Sequence, residues 1–489
     1  MTEQIIDIPV VKHWIGGCWV ENTGNTMPVD SPIDGSYLGE MPVGGSLEVE
    51  KAVLAAAKAF PSWSQTPIKE RVQVLYRYRT LLEKYRLELG HLVQKENGKT
   101  LDESLAEVDK AIELTEFACS MPQLAYGELL EVSAGVECRV ERFPLGVVAS
   151  IVPFNFPLMV PNWTIPNAIA LGNCMILKPS EQVPLTSIRI AELLQEAGLP
   201  EGVFNLVQGG QAVVEAICDH PGIKAISFVG STKVAKIVYK RATANLKNCL
   251  ALGGAKNHLI VLPDADIQMT ASNVIASMSG CAGQRCMAAA TVLAVANIEN
   301  IIAEMCNEAK KIIPGKNLGA VISKTAKERI EGYITEAEQQ GAKILVDGRN
   351  HVVQGKENGY YVGPTVIDYV TPDMKIAQEE IFGPVICIIR TPDMDTAIAI
   401  QHNSLYGNAS SIFTRSGGAA KYFQQNANAG MIGVNIGVPV PREPFSFGGW
   451  NESKFGTGDI TGKSSIEFWT KLKKTTTKWE ASAKTNWMS

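Results

Sequence analysis

The sequence predicts an α/β protein whose parallel sheets are built from strand–helix–strand units. From Leu145 onwards, short apolar segments typical of buried strands alternate with helical patterns, and this alternation is typical of parallel βαβ units. Several of the apolar segments end at Lys178, Gly209 or Gly230, at the carboxyl edge where such sheets collect ligands. Because 489 residues are too many for one hydrophobic core, we expect two or three domains.

The chain before this alternation has a different pattern. Residues 13–40 read as short strands joined by turns, and four helical patterns follow them, the fourth from about Leu101 to Cys119. We expect Ser46 to cap the first helix, because Glu48 follows at a position that favours a helix start. The third helix is predicted to end at Asn97-Gly98, a common C-terminal signal.

Two segments outside the βαβ pattern alternate weakly and indicate exposed strands. They are residues 129–142 and the tail from Ser465 to Trp479. An exposed strand edge can pair with another sheet, so we expect the tail to extend a second sheet, for example that of another subunit. We place a domain change near residues 252–257, where the alternation restarts.

Composition excludes several classes of function. The net charge of −5 is small for this length. The sequence shows neither the basic pattern of a nucleic-acid-binding protein nor a polybasic tract for a membrane surface. The ten cysteines are spread singly, which favours reduced thiols in the cytoplasm over disulfides or a metal site. The start of the chain lacks a signal-peptide pattern, and the longest apolar runs, of about ten residues, are too short to span a bilayer. We expect a soluble, cytoplasmic protein.

One cysteine has the surroundings of a nucleophile. Cys286 follows Gly283, Gln284 and Arg285, just after a helical pattern. A neighbouring cation or free backbone N–H groups can lower the pKa of a thiol, and the thiolate is the attacking form. The alternative is that Cys286 is a small buried hydrophobic residue, as most cysteines are.

Five stretches occur in an order that chance rarely gives: Pro153-Phe154-Asn155-Phe156-Pro157, Lys178-Pro179-Ser180-Glu181, Phe228-Val229-Gly230-Ser231-Thr232, Gln284-Arg285-Cys286 and Glu379-Glu380-Ile381-Phe382-Gly383-Pro384-Val385. Together they resemble the aldehyde dehydrogenase superfamily over nearly the whole chain. Residues 254–258 and 441–450 are most similar to its CoA-acylating methylmalonate-semialdehyde branch.

The resemblance implies an aldehyde dehydrogenase-like fold with a Rossmann-type NAD-binding domain, an α/β catalytic domain and a β oligomerisation arm. We assign the NAD-binding domain to residues 1–122 and 143–252, the catalytic domain to 253–436, and the arm to 123–142 and 465–489. The resemblance also implies a homodimer or homotetramer.

The resemblance implies that Cys286 attacks an aldehyde and that two groups bind the resulting oxyanion. These are the side chain of Asn155 and the backbone N–H of Cys286; losing one such donor typically costs about 10²–10³ in rate. Without the resemblance, Asn155 could equally be a turn residue before Pro157.

For NAD, the usual G-x-G-x-x-G pattern is missing. Gly230 and Ser231 instead end a strand and open a helix, which offers N–H groups to a pyrophosphate. The family often has a glycine where this chain has Ala235, and we expect the methyl group to crowd that helix end. Lys178 and Glu181 match the family's ligands of the adenosine ribose, and a carboxylate there favours NAD over NADP.

On the nicotinamide side, the resemblance implies that Glu380 binds the ribose and that Phe382 packs against the ring. Phe154 is assigned to the cofactor site as well. The alternative for Lys178 and Glu181 is a surface lysine and an acidic residue at a helix start.

One departure from the family decides the predicted mechanism. Hydrolytic members have a glutamate 34 residues before the nucleophile (286 minus 252), where this chain has Leu252, or Ala251 with a slip of one residue. The next acidic residues are Asp264 and Asp266. Leucine cannot take a proton from water, so the thioester should persist until the thiol of coenzyme A, the co-substrate that the resemblance implies, releases it.

Substrate recognition departs from the branch as well. The branch holds a substrate carboxylate with two arginines; Arg285 keeps the first, and Lys110 occupies the second position. Lysine lacks the bidentate fork, so carboxylate recognition should weaken or broaden. The alternative is that Lys110 is a solvated helix residue.

The predicted function is the NAD-dependent, CoA-acylating oxidation of malonate or methylmalonate semialdehyde. The resemblance implies loss of the β-carboxylate as CO2, giving acetyl-CoA or propanoyl-CoA. Two alternatives remain: a hydrolytic dehydrogenase that releases a free acid, and a dinucleotide-binding protein without turnover.

Overall fold

The computed structural model describes residues 8–20 and 24–479. Its helices, in chain order, are α1 Ser46–Gln65, α2 Ile68–Lys84, α3 Arg86–Asn97, α4 Leu101–Cys119, α5 Met121–Leu124, α6 Met159–Ala170, α7 Leu185–Glu196, α8 Gln211–Asp219, α9 Thr232–Ala244, α10 Ile267–Ser279, α11 Glu299–Lys310, α12 Lys324–Gln339, α13 Lys375–Gln378, α14 Met394–His402, α15 Gly417–Asn426 and α16 Ser464–Phe468.

The strands, in chain order, are β1 His13–Ile15, β2 Cys18–Val20, β3 Thr26–Asp30, β4 Tyr37–Pro42, β5 Glu128–Ser133, β6 Val136–Pro144, β7 Val147–Ile151, β8 Cys174–Lys178, β9 Phe204–Leu206, β10 Ile223–Val229, β11 Asn248–Leu252, β12 Asn257–Val261, β13 Ala289–Val295, β14 Lys343–Val346, β15 Thr365–Asp368, β16 Val385–Thr391, β17 Tyr406–Gly407, β18 Ala409–Phe413, β19 Met431–Val434, β20 Trp450–Asn451, β21 Lys454–Phe455 and β22 Thr470–Lys478.

The first large sheet has eight strands in the order β2-β1-β9-β8-β7-β10-β11-β21. The five strands from β9 to β11 are parallel. Strands β7 and β8 are buried along their whole length, as expected for apolar strands inside a parallel sheet. The chain order reverses between β7 and β10, and such a switch point is where open α/β sheets bind ligands.

The second large sheet has seven strands in the order β14-β15-β16-β13-β12-β18-β19. Strand β14 at one edge is antiparallel to β15, and the other neighbours are parallel. This confirms the predicted α/β class. The predicted restart of the strand–helix pattern near residue 257 corresponds to β12, the first strand of this sheet.

The last strand of the first sheet comes from far along the chain. Strand β21, Lys454–Phe455, pairs antiparallel with β11, and the segment that contains it was not assigned to any domain from the sequence. Two residues carry too little periodicity to indicate a strand. The return of the chain places residues 436–447 beside the first sheet's carboxyl edge, where they line the cavity described below.

A separate antiparallel sheet contains β22, β6 and β5 in that order. The sequence predicts a strand from Ser465 for pairing with another sheet. The structure begins that strand at Thr470 and pairs it with β6 of the same chain. Residues 464–468 form helix α16 instead, because Ile466, Phe468 and the following Trp469 are buried in the core of the first sheet. The predicted arm residues 480–489 lie outside the described residues.

The predicted cap of the first helix is wrong, whereas the predicted end of the third helix is confirmed. Gly45 is the N-cap of α1, and its N–H donates to the Glu48 carboxylate at 2.9 Å; Ser46, predicted as the cap, is already helical. Gly98 ends α3 in the left-handed conformation at φ 91°, as predicted. Within the described part of the chain, no helix combines the length and the apolar character needed to cross a bilayer.

Candidate active site

A cavity of about 1350 Å³ lies along the carboxyl ends of β7, β8 and β10. The segments that follow these strands form one wall, and the loops around Cys286 and Glu380 form another. All residues that the sequence predicts as catalytic, cofactor-binding or substrate-binding line this cavity: Lys110, Phe154, Asn155, Lys178, Glu181, Gly230, Ser231, Arg285, Cys286, Glu380 and Phe382.

Hydrogen bonds fix the backbone of Cys286 from two directions. The side-chain amide of Asn257 donates to the Cys286 carbonyl oxygen at 2.7 Å and to the Ala288 carbonyl at 2.9 Å. Asn408, at the start of β18, donates to the same Cys286 carbonyl at 2.9 Å. Asn257 is part of the Gly-Ala-Lys-Asn-His stretch, so the structure gives that motif a positioning role.

The turn before Cys286 has an unusual backbone. Cys281 and Ala282 are in the left-handed region, with φ of 52° and 53°, which is uncommon for residues with a Cβ atom. The N–H of Cys281 donates to the Glu103 carboxylate at 2.6 Å. Helix α4 therefore holds the turn in a conformation that the turn's own sequence does not favour.

Burial has the largest effect on the pKa of the Cys286 thiol. Burial raises its pKa to about 12, the Glu380 carboxylate raises it as well, and Arg285 opposes these effects more weakly. The guanidinium of Arg285 turns away, because its Nη2 donates to the carbonyl oxygens of Ala276 at 3.0 Å and Ser277 at 2.9 Å. At neutral pH this cysteine is therefore a protonated thiol.

Asn155 is buried and its orientation is fixed. Its side-chain Nδ2 donates to the Gln284 carbonyl oxygen at 2.9 Å, which places this amide within one hydrogen bond of the cysteine loop. The backbone carbonyl oxygen of Asn155 accepts a hydrogen bond from Lys99 Nζ at 2.7 Å, and the backbone carbonyl oxygen of Phe154 accepts one from Asn97 Nδ2 at 2.8 Å. The Asn97-Gly98-Lys99 turn thus holds Asn155 in place.

A buried ion pair beneath Asn155 was missed by the sequence reasoning. Lys99 and Glu107 meet at 2.5 Å, and both side chains are almost fully buried. The second carboxylate oxygen of Glu107 accepts the N–H groups of Leu158 at 2.8 Å and Met159 at 3.0 Å, at the start of α6. The available signal was the Asn-Gly-Lys turn followed by the acidic helix α4.

Gly230 follows β10 directly and precedes α9, a helix whose N-terminus has no side-chain cap. Ser231 is the N-cap of α9, yet its side chain makes no capping hydrogen bond, so N–H groups of the first turn are free to bind an anion. Ala235 is fully buried in the first core together with Val238 and Ala242. It is not among the residues that line the cavity, whereas Val238, one turn later, is, so the crowding of this helix end by the Ala235 methyl group stays a prediction.

Lys178 and Glu181 form an ion pair of 2.9 Å at the end of β8. The alternative of a surface lysine is wrong, because Lys178 is only 4% exposed. Burial would raise the pKa of the Glu181 carboxyl, but Lys178 lowers it below its usual value. A charged carboxylate is therefore available on the cavity wall at this strand end.

The loop of Glu380 lies directly against the cysteine loop. A Cβ atom on Gly283 would overlap the Gly383 carbonyl group, so this glycine permits the close approach. Phe382 has a left-handed backbone, with φ of 54°, and its ring meets the ring of Phe154 edge-on at 5.8 Å between centroids. Glu380 accepts the N–H of Ala255 at 2.9 Å, and burial raises its pKa to about 7.

Lys110 is neither a free ligand nor a solvated lysine. Its Nζ contacts the Glu443 carboxylate at 2.7 Å and the Glu113 carboxylate at 3.2 Å. The Glu443 side chain is 7% exposed. Arg285 also lines the cavity; its Nε is buried and has no hydrogen-bond partner among the described residues. Lys110 is therefore already neutralised by two carboxylates, whereas Arg285 has no carboxylate partner among the described residues.

The position of the missing glutamate contains no acidic group. Ala251 and Leu252 are both buried in β11 as part of the first core. The next acidic residues along the chain are occupied elsewhere: Asp264 accepts the Thr414 hydroxyl at 2.8 Å, and Asp266 caps α10 by accepting the Met269 N–H at 3.0 Å.

A protein-family model described as the aldehyde dehydrogenase family matches residues 19–475 of this chain. A malonate-semialdehyde dehydrogenase 2 from Bacillus thuringiensis subsp. konkukian (strain 97-27) is 44% identical over 489 residues, which cover 98% of this chain and 100% of the relative. The malonate-semialdehyde dehydrogenase 1 of Geobacillus kaustophilus (strain HTA426) is 42% identical over 479 residues, which cover 96% of this chain and 98% of the relative.

Solved structures agree with this similarity. The methylmalonate-semialdehyde dehydrogenase of Oceanimonas doudoroffii has a TM-score of 0.95 at 42% identity, covering 96% of this chain and 98% of its own. A protein from Sinorhizobium meliloti 1021, assigned as a methylmalonate-semialdehyde dehydrogenase and solved in complex with NAD, has a TM-score of 0.95 at 39% identity, covering 98% and 99%. With the cysteine loop, Asn155 and the two sheets in place, the chain belongs to the aldehyde dehydrogenase family.

Proposed function

We propose that this chain is an NAD-dependent, CoA-acylating dehydrogenase of malonate or methylmalonate semialdehyde. One observation carries the proposal: Cys286 and the Asn155 amide line the same large cavity, while the position of the hydrolytic glutamate is apolar. The names of the relatives from Bacillus, Geobacillus and Oceanimonas support the substrate class.

In the proposed reaction, Sγ of Cys286 attacks the carbonyl carbon of the aldehyde, and the carbonyl oxygen becomes an oxyanion. Nδ2 of Asn155 has a second N–H besides the one donated to Gln284, and with the backbone N–H of Cys286 it would stabilise that charge. Loss of a hydride from the tetrahedral carbon then leaves a thioester on Cys286.

The residues on the cavity wall fit NAD, which accepts the hydride when bound. The free N–H groups at the start of α9 suit the pyrophosphate. Lys178 and Glu181 suit the adenosine ribose, and the Glu181 carboxylate would repel a 2′-phosphate. Glu380 and Phe382, with Phe154 across from them, suit the nicotinamide half.

The apolar residues Ala251 and Leu252 support release of the thioester by a thiol. With no glutamate to activate water at this position, hydrolysis is slow, and the thiol of coenzyme A takes the acyl group. A malonate-derived acyl group carries a β-carboxylate, which would leave as CO2 and give acetyl-CoA, or propanoyl-CoA from the methyl homologue.

The electrostatics of the wall support a broadened substrate range. Lys110 already has two carboxylate partners, so Arg285 is the main cation left for a substrate carboxylate. A single donor supplies less discrimination than two arginines. We propose that aldehydes without a carboxylate are accepted as well.

We further propose the division into domains predicted from the sequence: the first sheet binds the dinucleotide, the second carries the nucleophile, and the β5–β6–β22 sheet serves as the arm of a homodimer or homotetramer. All ten cysteines are unpaired, which supports a reducing, cytoplasmic compartment.

Product analysis tests the reaction. Steady-state rates with malonate, methylmalonate and succinate semialdehydes and with propanal, each with and without coenzyme A, should show acyl-CoA formation that depends on the thiol. Free acid formed at full rate without coenzyme A would instead support the hydrolytic alternative. NAD binding without any turnover would support the other alternative, a dinucleotide-binding protein that is not an enzyme.

A further inference from the structure

The protonated thiol of Cys286 requires a proton acceptor. Six carboxylates line the cavity, and five of them are paired with a cation. The pairs are Asp109 with Arg86 at 2.5 Å, Glu113 and Glu443 with Lys110 at 3.2 and 2.7 Å, Glu181 with Lys178 at 2.9 Å, and Glu215 with Arg241 at 3.1 Å. Glu380 has no ion-pair partner among the described residues.

Glu380 also lies beside the cavity that Cys286 lines, as a proton acceptor for the Cys286 thiol must. It lines the large cavity together with Cys286, and both residues line a second cavity of about 20 Å³ between their loops. A cavity of this size holds about one water molecule. Ala255 and Asn257 line the same small cavity; the first donates its N–H to Glu380 and the second holds the Cys286 carbonyl.

One oxygen of Glu380 remains available. Oε1 accepts the Ala255 N–H, whereas Oε2 makes no hydrogen bond to another described residue. A Cβ atom on Gly254 would overlap Oε2, so the glycine leaves room for the carboxylate beside the end of β11. Glu380 thus reaches the start of the Gly254–His258 motif, two residues after the Leu252 position that lacks an acid.

We propose that Glu380 takes the thiol proton of Cys286 by way of one water molecule, in place of the glutamate that this chain lacks. The S–H bond breaks as the sulfur electron pair forms the bond to the aldehyde carbon. The water passes one proton to Oε2 of Glu380 as it receives the thiol proton, and the carboxyl later loses that proton to solvent. This assignment rests on the proposed role of Cys286 as nucleophile.

The groups around Glu380 suit a proton acceptor at neutral pH. Burial raises its pKa to about 7, while the Ala255 N–H, Lys256 and Arg329 limit the rise. Tyr406 also faces it and stays neutral, because burial and Glu380 raise the phenol pKa. Brønsted behaviour favours an acceptor whose pKa lies near the working pH.

Alkylation of Cys286 without NAD tests the proposal, since a residue that only binds ribose has no effect there. Iodoacetamide labelling of the full-length protein is followed by peptide mass spectrometry from pH 5.5 to 9. The variants are Glu380→Gln and, as a matched control, Glu379→Gln, whose exposed carboxylate accepts from Tyr333 instead. The exposed Cys18 serves as the internal reference.

We expect the labelling rate of Cys286 in the unchanged protein and in Glu379→Gln to rise with a midpoint near pH 7. Glu380→Gln should slow labelling at pH 8 by about tenfold or more, within the usual contribution of a general base. Labelling at an unchanged or higher rate would overturn the proposal, because loss of a merely repelling carboxylate would favour the thiolate.

The failure of the proposed function has a different signature. If Cys286 in the unchanged protein reacts no faster than the buried Cys174, then Cys286 is not an activated nucleophile, and both assignments are overturned. If Cys286 reacts rapidly and Glu380→Gln has no effect, the nucleophile stands and the proton acceptor alone is wrong.

Discussion

Cys286 and Cys281 lie on one loop but have different surroundings. Cys286 lines the cavity, whereas Cys281 is 6% exposed and is not among the lining residues. We expect Cys286→Ser to lower kcat/KM for aldehyde oxidation by about 10³-fold or more, the usual effect of removing a nucleophile. Cys281→Ser should stay within about threefold of the unchanged protein, because its hydrogen bond to Glu103 uses the backbone N–H. Steady-state kinetics of NADH formation would show normal oxidation by Cys286→Ser if the mechanism is wrong.

Side-chain direction limited what the sequence could predict at this scale. The residues of the site were found because their types and order carry chemistry. Arg285 was expected to face the thiol, but the carbonyl groups at the end of α10 bind it. Lys110 was expected to be free or solvated, but Glu443, from a segment 333 residues away, neutralises it. The Glu443 contact depends on how distant elements meet. The contacts of Arg285 are local, but they depend on the left-handed turn at Cys281 and Ala282, which local spacing does not indicate.

Glu443 should weaken selection for a substrate carboxylate. Glu443→Gln removes the closer and more buried of the two carboxylates at Lys110 and frees part of its charge. We expect KM for malonate semialdehyde to fall by about three- to tenfold, the equivalent of ~1 kcal/mol for one partly exposed charge pair, while KM for propanal is unchanged. Glu113→Gln is the matched control, because this side chain is 40% exposed. Equal effects of both variants on both aldehydes would contradict this role of Glu443.

At the level of elements, periodicity predicted most of the helices and strands. Helix α4 was predicted over 101–119 and is observed over those residues, because its capping residues and apolar spacing agree. The tail was predicted less well, since three buried aromatic or aliphatic residues override its strand-like alternation and form α16. Strand β21 was not predicted, because its partner β11 and not its own two residues specifies it.

A titrating carboxyl group that contacts the start of α7 should affect stability. Glu96 at the end of α3 is buried and accepts the N–H groups of Leu185 at 2.7 Å and Thr186 at 3.0 Å. Burial raises its pKa from 4.5 to about 7. The folded protein therefore holds one more proton than the unfolded chain between these values, so the stability from Glu96 is full below pH 4.5 and is lost as the pH rises through 7.

Glu96→Gln removes this titration. We expect the unchanged protein to lose stability relative to the variant as the pH rises from 5 to 8, by up to about 3 kcal/mol from a shift of this size. Midpoints of urea unfolding, measured for both proteins across this pH range, give the difference in stability. The substitution also alters the hydrogen bonds to α7, but that contribution to the difference should not change with pH. A stability difference that does not depend on pH, or a gain in stability of the unchanged protein relative to the variant as the pH rises, would contradict the raised pKa.

At the scale of the molecule, the two large sheets meet around one cavity, and this explains why motifs far apart in the sequence act together. The first sheet supplies Asn155, Lys178 and Ser231 from its strand ends, while the segments flanking β12 and β13 of the second sheet position Cys286. The strand–helix alternation predicted both sheets. It could not predict their contact, which depends on long-range hydrogen bonds such as that from Nδ2 of Asn155 to the Gln284 carbonyl oxygen.

The small β5–β6–β22 sheet is the surface that we expect to join subunits. Four of its apolar side chains are half exposed or more: Leu129 at 62%, Leu130 at 67%, Val132 at 51% and Leu472 at 50%. Successive residues of a strand point to opposite faces, so neighbouring Leu129 and Leu130 show that neither face of this sheet is covered. Apolar patches of this kind mark interaction surfaces, and the strands at both edges can pair further.

The double variant Leu130→Lys, Leu472→Lys should therefore convert the protein to single chains of 52.8 kDa, whereas the unchanged protein should have two or four times that mass. Leu54→Lys is the control, because this residue is 61% exposed on α1, outside the arm. Size-exclusion chromatography with light scattering measures the masses. A single-chain mass for the unchanged protein would refute the oligomer, and an unchanged mass for the double variant would place the interface elsewhere, since two buried lysines would cost an apolar contact several kcal/mol.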